Sequence, residues 1–450
     1  MTALDTPTGY DTTVTPRPRE NAELLETAMS VLRAHQERAA RTVTLIPAEN
    51  TPAPITLLPY VTDIGARYMF DDDPDPDTSA WHFPSARDAA WLETGLAVPA
   101  ARRLLAAEHV NVRPLSGLHA MHMVIAALAG GRADTVVCVA ADQGGHYATG
   151  DIATRLGHRV AHLTGTGIGT VDLDALAATC RATRPTLVYL DQCHTLRPLD
   201  TAAIVATVHD ACPGTRVHAD ISHTLGLVMG GALRNPLDDG ADSLSASTHK
   251  SFPGPQKGLI ATRDARVRDL IATIQPQMVS NHHFAAVASL GLALVSFADR
   301  CGEYARTVVT NARTLGRELA HAGWDVVGAD FGHTLTHQLW IRDPHRGARE
   351  AARRLYAAGI DVNWLTDLPL DTPALRLGLA EATWTGLVPA DMPPLAAIMT
   401  AAVHDREPAA VLAERTAALR ARAGHPFAPT LGPAASVHAH ALLEHIGPTR

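Results

Sequence analysis

The run Ser245-Ala246-Ser247-Thr248-His249-Lys250-Ser251-Phe252-Pro253-Gly254-Pro255 places a lysine at the end of a small, apolar strand. Flanking Ser, Thr and Gly residues leave room for a bulky ligand. A lysine so placed can be desolvated, which lowers its pKa and frees a neutral amine for imine formation. A lysine in a surface loop is the other reading. Thirty residues earlier, Arg216-Val217-His218-Ala219-Asp220-Ile221 ends a second apolar strand on Asp220. A carboxylate there suits a pyridine nitrogen, because a protonated ring is the better electron sink. It also suits a helix N-cap. Strand–Asp followed by strand–Lys is more specific than either alone, and the pair points to pyridoxal phosphate held by Lys250.

Three further segments fit that cofactor. Ser116, Gly117 and Leu118 precede an apolar helix that reaches Leu128. Free N–H groups and the helix dipole at such a start suit a phosphate dianion, and an ordinary cap is the alternative. In Gln143-Gly144-Gly145-His146 the glycines let the backbone approach a flat ligand on which His146 could stack; the alternative is a surface turn. Arg376, in Leu375-Arg376-Leu377-Gly378, could clamp an α-carboxylate bidentately or form a surface ion pair. His119, His194 and His249 lie near these segments, as proton carriers or as hydrogen-bonded structural residues.

The elements that must position these residues alternate between strand and helix. Apolar runs at Thr135–Ala140, Thr186–Leu190, Arg216–Ile221, Ser243–Ser247 and Gly258–Thr262 are separated by helical patterns such as Leu173–Arg181 and Thr201–Ala211. Buried strands alternating with helices predict a mostly parallel sheet covered on both faces. Ligands in such sheets sit at the carboxyl ends of the strands. A long helical stretch from Phe284 to Gly323 follows. Strands at Asp325–Val327, Leu335–Ile341 and Ile360–Asn363, with a helix at Arg346–Ala358, then predict a smaller α/β unit. Helical patterns at Ala409–Ala423 and Ala434–His445 close the chain. At the other end, an amphipathic helix over Asn21–Arg41 carries Leu24, Leu25, Met29 and Leu32. The expected organisation is a tail over 1–18, a helical segment over 19–60, a large cofactor-binding domain over 61–295 and a small domain over 296–450.

A formal net charge of -8 over 450 residues disfavours nucleic acid or an anionic membrane as the main partner. Five scattered cysteines read as reduced thiols, and the N-terminal residues lack the pattern of a signal peptide, so a cytoplasmic enzyme is expected. The 24 histidines are scattered without a metal motif, and no metal is expected.

Taken in order, these segments resemble serine hydroxymethyltransferase, a fold-type I pyridoxal-phosphate family. Leu45-Ile46-Pro47-Ala48-Glu49-Asn50 resembles its Leu-Ile-Ala-Ser-Glu-Asn, and Pro114-Leu115-Ser116-Gly117 its phosphate-binding Pro-His-Ser-Gly. Gly144-Gly145-His146 matches its ring-stacking Gly-Gly-His. Asp220-Ile221-Ser222-His223-Thr224-Leu225-Gly226-Leu227 resembles Asp-Met-Ala-His-Val-Ala-Gly-Leu, which implies that His223 sits beside the cofactor's phenolic oxygen. Thr248-His249-Lys250 matches the lysine motif, and Arg376-Leu377-Gly378 resembles the carboxylate-binding Arg-Val-Gly. The resemblance implies a mostly parallel seven-stranded central sheet, a smaller C-terminal domain, and a homodimer with shared active sites. It also implies catalytic roles for Lys250, His146, His223 and Asp220. Ser116, Gly117, Leu118 and His249 join them around the cofactor, and Arg376 and Glu49 face the substrate.

Departures from the family fall on the substrate side. Arg67 stands where the family has the glutamate that transfers a proton at the hydroxymethyl group. The family's active-site tyrosines are replaced by Asp71-Asp72-Asp73-Pro74-Asp75-Pro76-Asp77 and a stretch ending at His82. Arg67, Asp71, Asp73 and His82 are therefore substrate-side candidates, and the aspartates could meet a cationic, arginine-like substrate tail or form a solvated loop. Three function classes stand. One is a specialised-metabolism enzyme that abstracts Cα–H from a hydroxylated amino acid, with β-elimination and cyclisation or replacement; loss of the glutamate tilts the reading to it. The second is an aldol-type enzyme, a threonine aldolase, transaldolase or hydroxymethyltransferase. The third is a non-catalytic cofactor-binding protein.

Overall fold

Runs such as Thr135–Val139, Leu187–Asp191 and Ser243–Ser247 are buried over their whole length. That is the pattern of strands covered on both faces. The computed structural model describes residues 18–70, 82–342, 347–422, 424, 426–427 and 429–445. The tail expected over 1–18 lies outside them but for Pro18, and so do Asp71 and Asp73.

The strands in chain order are β1 (Val43–Thr44), β2 (His109–Asn111), β3 (Thr135–Val139), β4 (Arg159–Leu163), β5 (Leu187–Asp191) and β6 (Arg216–Asp220). They continue with β7 (Ser243–Ser247), β8 (Gly258–Thr262), β9 (Gln338–Arg342), β10 (Ile360–Asp361), β11 (Asn363–Leu365) and β12 (Ala374–Gly378). Seven of them form one sheet in the order β2-β8-β7-β6-β5-β3-β4. From β7 to β4 every pairing is parallel; β8 runs antiparallel to β7, and β2 antiparallel to β8. Alternate residues serve opposite faces. Val136 and Cys138 pack under the helices Gly117–Leu128 and Ala265–Met278. Val137 and Val139 pack under Leu173–Thr183 and Thr201–Ala211.

A second, antiparallel sheet has the order β11-β12-β9. Its core includes Leu339, Ile341, Leu375 and Leu377, packed with the helices Cys301–His321, Ala348–Ala357 and Met392–Val403. β1 pairs in parallel with β10, so the segment carrying Glu49 and Asn50 is fixed to this second unit.

Several expected elements differ in the structure. The stretch from Phe284 to Gly323 is two helices, Phe284–Ala298 and Cys301–His321, bent by 81°. The first is apolar nearly all round and buried, and it ends where exposed Asp299 and Arg300 cannot follow it inside. Val326 makes only a bridge to Ile341, because Gly328, at φ 79°, turns the chain away. Residues 360–363 divide between β10 and β11, which pair with different strands. β2 and β4 at the sheet's two edges were not expected; β4 leaves Arg159 and His162 exposed and so lacks an apolar run.

The helix Pro18–Ala39 is held through its last turn, where Arg38 bonds Asp361 at 2.7 and 2.9 Å and lies over the Tyr356 ring. Leu24, Leu25, Met29 and Leu32 are 57–66% exposed. No single described helix is long and apolar enough to cross a membrane.

Candidate active site

Asp191, Asp220 and Ser245 stand side by side on β5, β6 and β7, in register. Asp220 closes its strand with a filled hydrogen-bond shell. Its Oδ2 accepts from Tyr189 Oη (3.1 Å) and Ser245 Oγ (3.2 Å), and its Oδ1 from the Ser222 amide (2.8 Å). Such a shell fixes the carboxylate's direction.

Lys250 follows β7 by three residues, on a loop tied down from several sides. Thr248 Oγ1 donates to the Pro255 carbonyl, Asn50 Nδ2 to the Lys250 carbonyl, and Tyr304 Oη to the Ser251 carbonyl. The lysine's Nζ lies 3.3 Å from His223 Nε2. Burial lowers the Lys250 pKa, with Arg376 acting the same way and Cys193 and Asp220 opposing. Burial, reinforced by Lys250 and Arg376, also holds His223 well below the usual histidine range. Burial therefore shifts both of these facing bases toward their neutral forms.

A cleft of about 320 Å³ opens above these strand ends, lined by Ser116, Gly117, His146, Asp220, His223 and Lys250 among others. Ser116 caps the helix Gly117–Leu128, its Oγ accepting from the His119 amide. A Cβ on Gly117 would come within 2.0 Å of Ser247 Oγ, so only glycine lets the helix start pack on β7. His146 is held by its own turn. Its amide donates to Asp191 Oδ2 (3.1 Å), and its Nδ1 accepts from the Ala148 amide (3.2 Å), which leaves the ring proton on Nε2. Burial lowers the His146 pKa. Leu118 and His249 also line the cleft; burial pushes His249 down to about 4.

Arg376 lies on β12 and is buried. Its Nη1 is 2.9 Å from His194 Nδ1, its Nη2 donates to Asn363 Oδ1 (3.2 Å), and its Nε has no partner. No carboxylate of the described residues hydrogen-bonds it. A buried guanidinium in that state is matched to an incoming carboxylate.

The structure thus gathers Lys250, Asp220, His223, His146, Ser116, Gly117, Leu118 and His249 at one cleft, with Arg376 beside it. It does not bring the remaining described candidates there. Arg67 forms an ion pair with Asp63 on a surface turn. His82 is exposed. Glu49 keeps an exposed surface, while the packing beneath its carboxyl, and then Asp361, push its pKa up. Asp71 and Asp73 are not among the described residues.

Other residues of the site were not singled out in the sequence. Asp191 is buried, pushed up to about 7 by desolvation, and its Oδ1 lacks a partner. Its signal, an aspartate closing an apolar strand, is the one that marked Asp220. His337 is buried with its ring 6.0 Å from that of His223, and no local pattern announces it.

The donor set fits a flat, phosphorylated pyridine aldehyde. It offers an amine for the aldehyde, a carboxylate for the ring nitrogen and a capped helix start for the phosphate. The unpartnered buried atoms His223 Nδ1, His249 Nδ1 and Asp191 Oδ1 belong to residues lining the cleft. Among the described residues no group of three or more His, Cys, Asp or Glu could hold a metal ion.

Comparison with known proteins agrees. The family model described as serine hydroxymethyltransferase matches residues 25–399. An L-threonine:uridine-5'-aldehyde transaldolase from a Streptomyces species is 43% identical over 79% of this chain and 86% of its own. A serine hydroxymethyltransferase from Pyrobaculum neutrophilum is 32% identical over 88% and 91%. The crystal structure of an L-threonine transaldolase from Pseudomonas fluorescens, in its internal aldimine state, superposes with a TM-score of 0.82. It is 26% identical and covers 94% of this chain and 98% of that one. The cofactor is pyridoxal phosphate.

Proposed function

Because the chain belongs to the serine hydroxymethyltransferase family of pyridoxal-phosphate enzymes, we propose that it is an L-threonine transaldolase. It would break the Cα–Cβ bond of L-threonine, release acetaldehyde, and join the remaining glycyl unit to a second aldehyde. The observation that carries this reading is the meeting of Lys250, His223 and a buried Arg376 that no carboxylate of the described residues hydrogen-bonds. The relatives support it. Four relatives named transaldolases are 35–43% identical to this chain and four named serine hydroxymethyltransferases 28–32%, while the L-threonine transaldolase of Pseudomonas fluorescens is 26% identical. Arg67, in place of the family's glutamate, also speaks against transfer of a hydroxymethyl group.

Each residue's part follows from its setting. Lys250 would hold the cofactor, Asp220 its ring nitrogen, Ser116 and the N–H groups of Gly117 and Leu118 its phosphate, and His146 the face of its ring. The bound cofactor supplies the electron sink for the pair left at Cα. Arg376, braced by His194 and Asn363, takes the α-carboxylate and so orients the bond to be broken. The β-hydroxyl proton passes to His223 Nε2, which burial shifts toward its neutral, proton-accepting form, and His223 returns it to the new alkoxide when the acceptor adds.

The elimination route with an arginine-like substrate has no counterpart in these relatives' names. Incubation with L-threonine and an acceptor aldehyde separates the two. The aldol reading expects acetaldehyde and a new β-hydroxy amino acid; ammonia and a keto acid without acetaldehyde would overturn it. A homodimer is part of the reading, supported by the uncovered Leu24, Leu25, Met29 and Leu32. The free cysteines support a reducing, cytoplasmic location, and the transaldolase names support a place in specialised metabolism.

A further inference from the structure

We propose that Asp191 is a positioning residue for the cofactor: as a neutral carboxylic acid, it ties down the turn that sets His146 on the face of the ring. The proposal rests on the placing of His146 given above and is independent of the aldehyde that is used.

The topology puts two carboxyl groups together. Asp191 ends β5 and Asp220 ends β6, and the two residues are partners in a parallel register. Neighbouring strands lie about 4.8 Å apart, and residues paired in register point to the same face. Both residues line the cofactor cleft. Their surroundings differ. Asp220 accepts three hydrogen bonds, spread over both of its oxygens. Asp191 accepts from the His146 amide at 3.1 Å and from Thr149 Oγ1 at 2.5 Å, both on Oδ2. Its Oδ1 is buried with no partner on another residue; only the residue's own amide also favours the charged carboxyl.

A carboxylate shares its charge between two oxygens and is satisfied by donors on both. A carboxylic acid has one accepting oxygen and one O–H. The one-sided shell of Asp191 fits the acid, with Oδ2 accepting and the proton on Oδ1. A buried hydroxyl without a partner also costs less than a buried charge without one. The other titratable groups around Asp191 stay neutral: burial raises the pKa of Cys138 on β3, of Tyr189 on β5 and of Cys193 just after it, and lowers that of His146. That leaves Asp220, with donors on both oxygens, to hold the charge that meets the ring nitrogen. Two like charges on adjacent strand ends disfavour each other. Desolvation pushes Asp191 up to about 7, with Asp220 adding to it and the bonds from Thr149 and His146 opposing.

What Asp191 holds is a turn. One oxygen takes a bond from His146 at its start and another from Thr149 at its end, where the helix Thr149–Arg155 begins. The Thr149 amide closes the same turn on the His146 carbonyl at 3.2 Å. With its amide fixed and its Nδ1 accepting from Ala148, the imidazole has little freedom. Adjacent strand ends thus fix the cofactor on two sides, β6 through Asp220 at the ring nitrogen and β5 through Asp191 at the ring face.

The test uses the full chain loaded with pyridoxal phosphate. It reads the dissociation constant by absorbance titration, the visible circular dichroism of the bound cofactor, and the infrared carboxylic-acid band. Asp191→Ala should raise the dissociation constant about tenfold and weaken the dichroism, while Asp191→Asn, which keeps an accepting oxygen and a neutral donor, should hold both within about twofold of wild type. His146→Ala should weaken the dichroism too. Thr149→Val, which removes the other bond to the same oxygen, should act in the same direction and stands in where Asp191→Ala does not fold. Infrared difference spectra of the wild type should show a carboxylic-acid C=O stretch on the acid side of about pH 7 that fades above it and is missing in Asp191→Asn. Asp191→Asn behaving like Asp191→Ala, or a wild type without that band, would overturn the neutral acid. Unchanged dichroism in Asp191→Ala and Thr149→Val, with His146→Ala altered, would overturn the positioning role alone. Unchanged dichroism in His146→Ala would overturn the placing of His146, and the proposal with it.

Discussion

Arg376 is the residue whose setting most constrains the substrate. Its guanidinium is buried, oriented by His194 and Asn363, and its Nε lacks a partner. Burial lowers its pKa, yet an arginine keeps its charge in protein. A buried cation of this kind awaits a carboxylate, and a fork matches one better than a point charge does. Arg376→Lys should therefore raise the KM for L-threonine about tenfold or more while leaving cofactor absorbance in place. Steady-state kinetics with the cofactor-loaded variant would check this, and an unchanged KM would remove Arg376 from substrate binding. Lys250 belongs to the same scale. Burial shifts its amine toward the neutral form, and no other lysine lines the cleft.

At the scale of elements, the site depends on how closely the helix Gly117–Leu128 packs against β7. A Cβ at position 117 has no space before Ser247 Oγ. Gly117→Ala must push the helix start outward and misaim the N–H groups that would meet the phosphate. The expected result is about a tenfold weaker dissociation constant for pyridoxal phosphate, read by absorbance titration; unchanged binding would contradict it. The central strands were legible in the sequence because burial on both faces leaves unbroken apolar runs, as in Ser243–Ser247. Asp220 was legible because it closes such a run, and Lys250 because it follows one within three residues. Edge strand β4 was not, since one side of it meets water. The bend after Ala298 was not, because helical periodicity continues through Asp299 and Arg300 while the packing changes direction. Arg67 was placed by its position relative to a family motif, and its side chain pairs with Asp63 at the surface. Asp191 was missed because its strand was ended one residue early, at Leu190.

For the whole molecule, the helix Pro18–Ala39 presents Leu24, Leu25, Met29 and Leu32 to solvent in one chain. An apolar stripe that no described residue covers is a surface made to be buried, and a second copy of the chain is the proposed cover. Sedimentation at micromolar concentration should give a dimer, and replacing the four residues by Glu should shift it toward monomer; a wild-type monomer would contradict this. The fold, cofactor cleft and Arg376 together lead to one central claim, that the glycyl unit of L-threonine is passed intact to another aldehyde. L-Threonine labelled with carbon-13 at C1 and C2 tests it most directly, with glyceraldehyde or propanal as acceptor. Both labels should appear, adjacent, in the new β-hydroxy amino acid, with one unlabelled acetaldehyde released per product. Labels recovered in a four-carbon keto acid, with ammonia released and no acetaldehyde, would contradict the account.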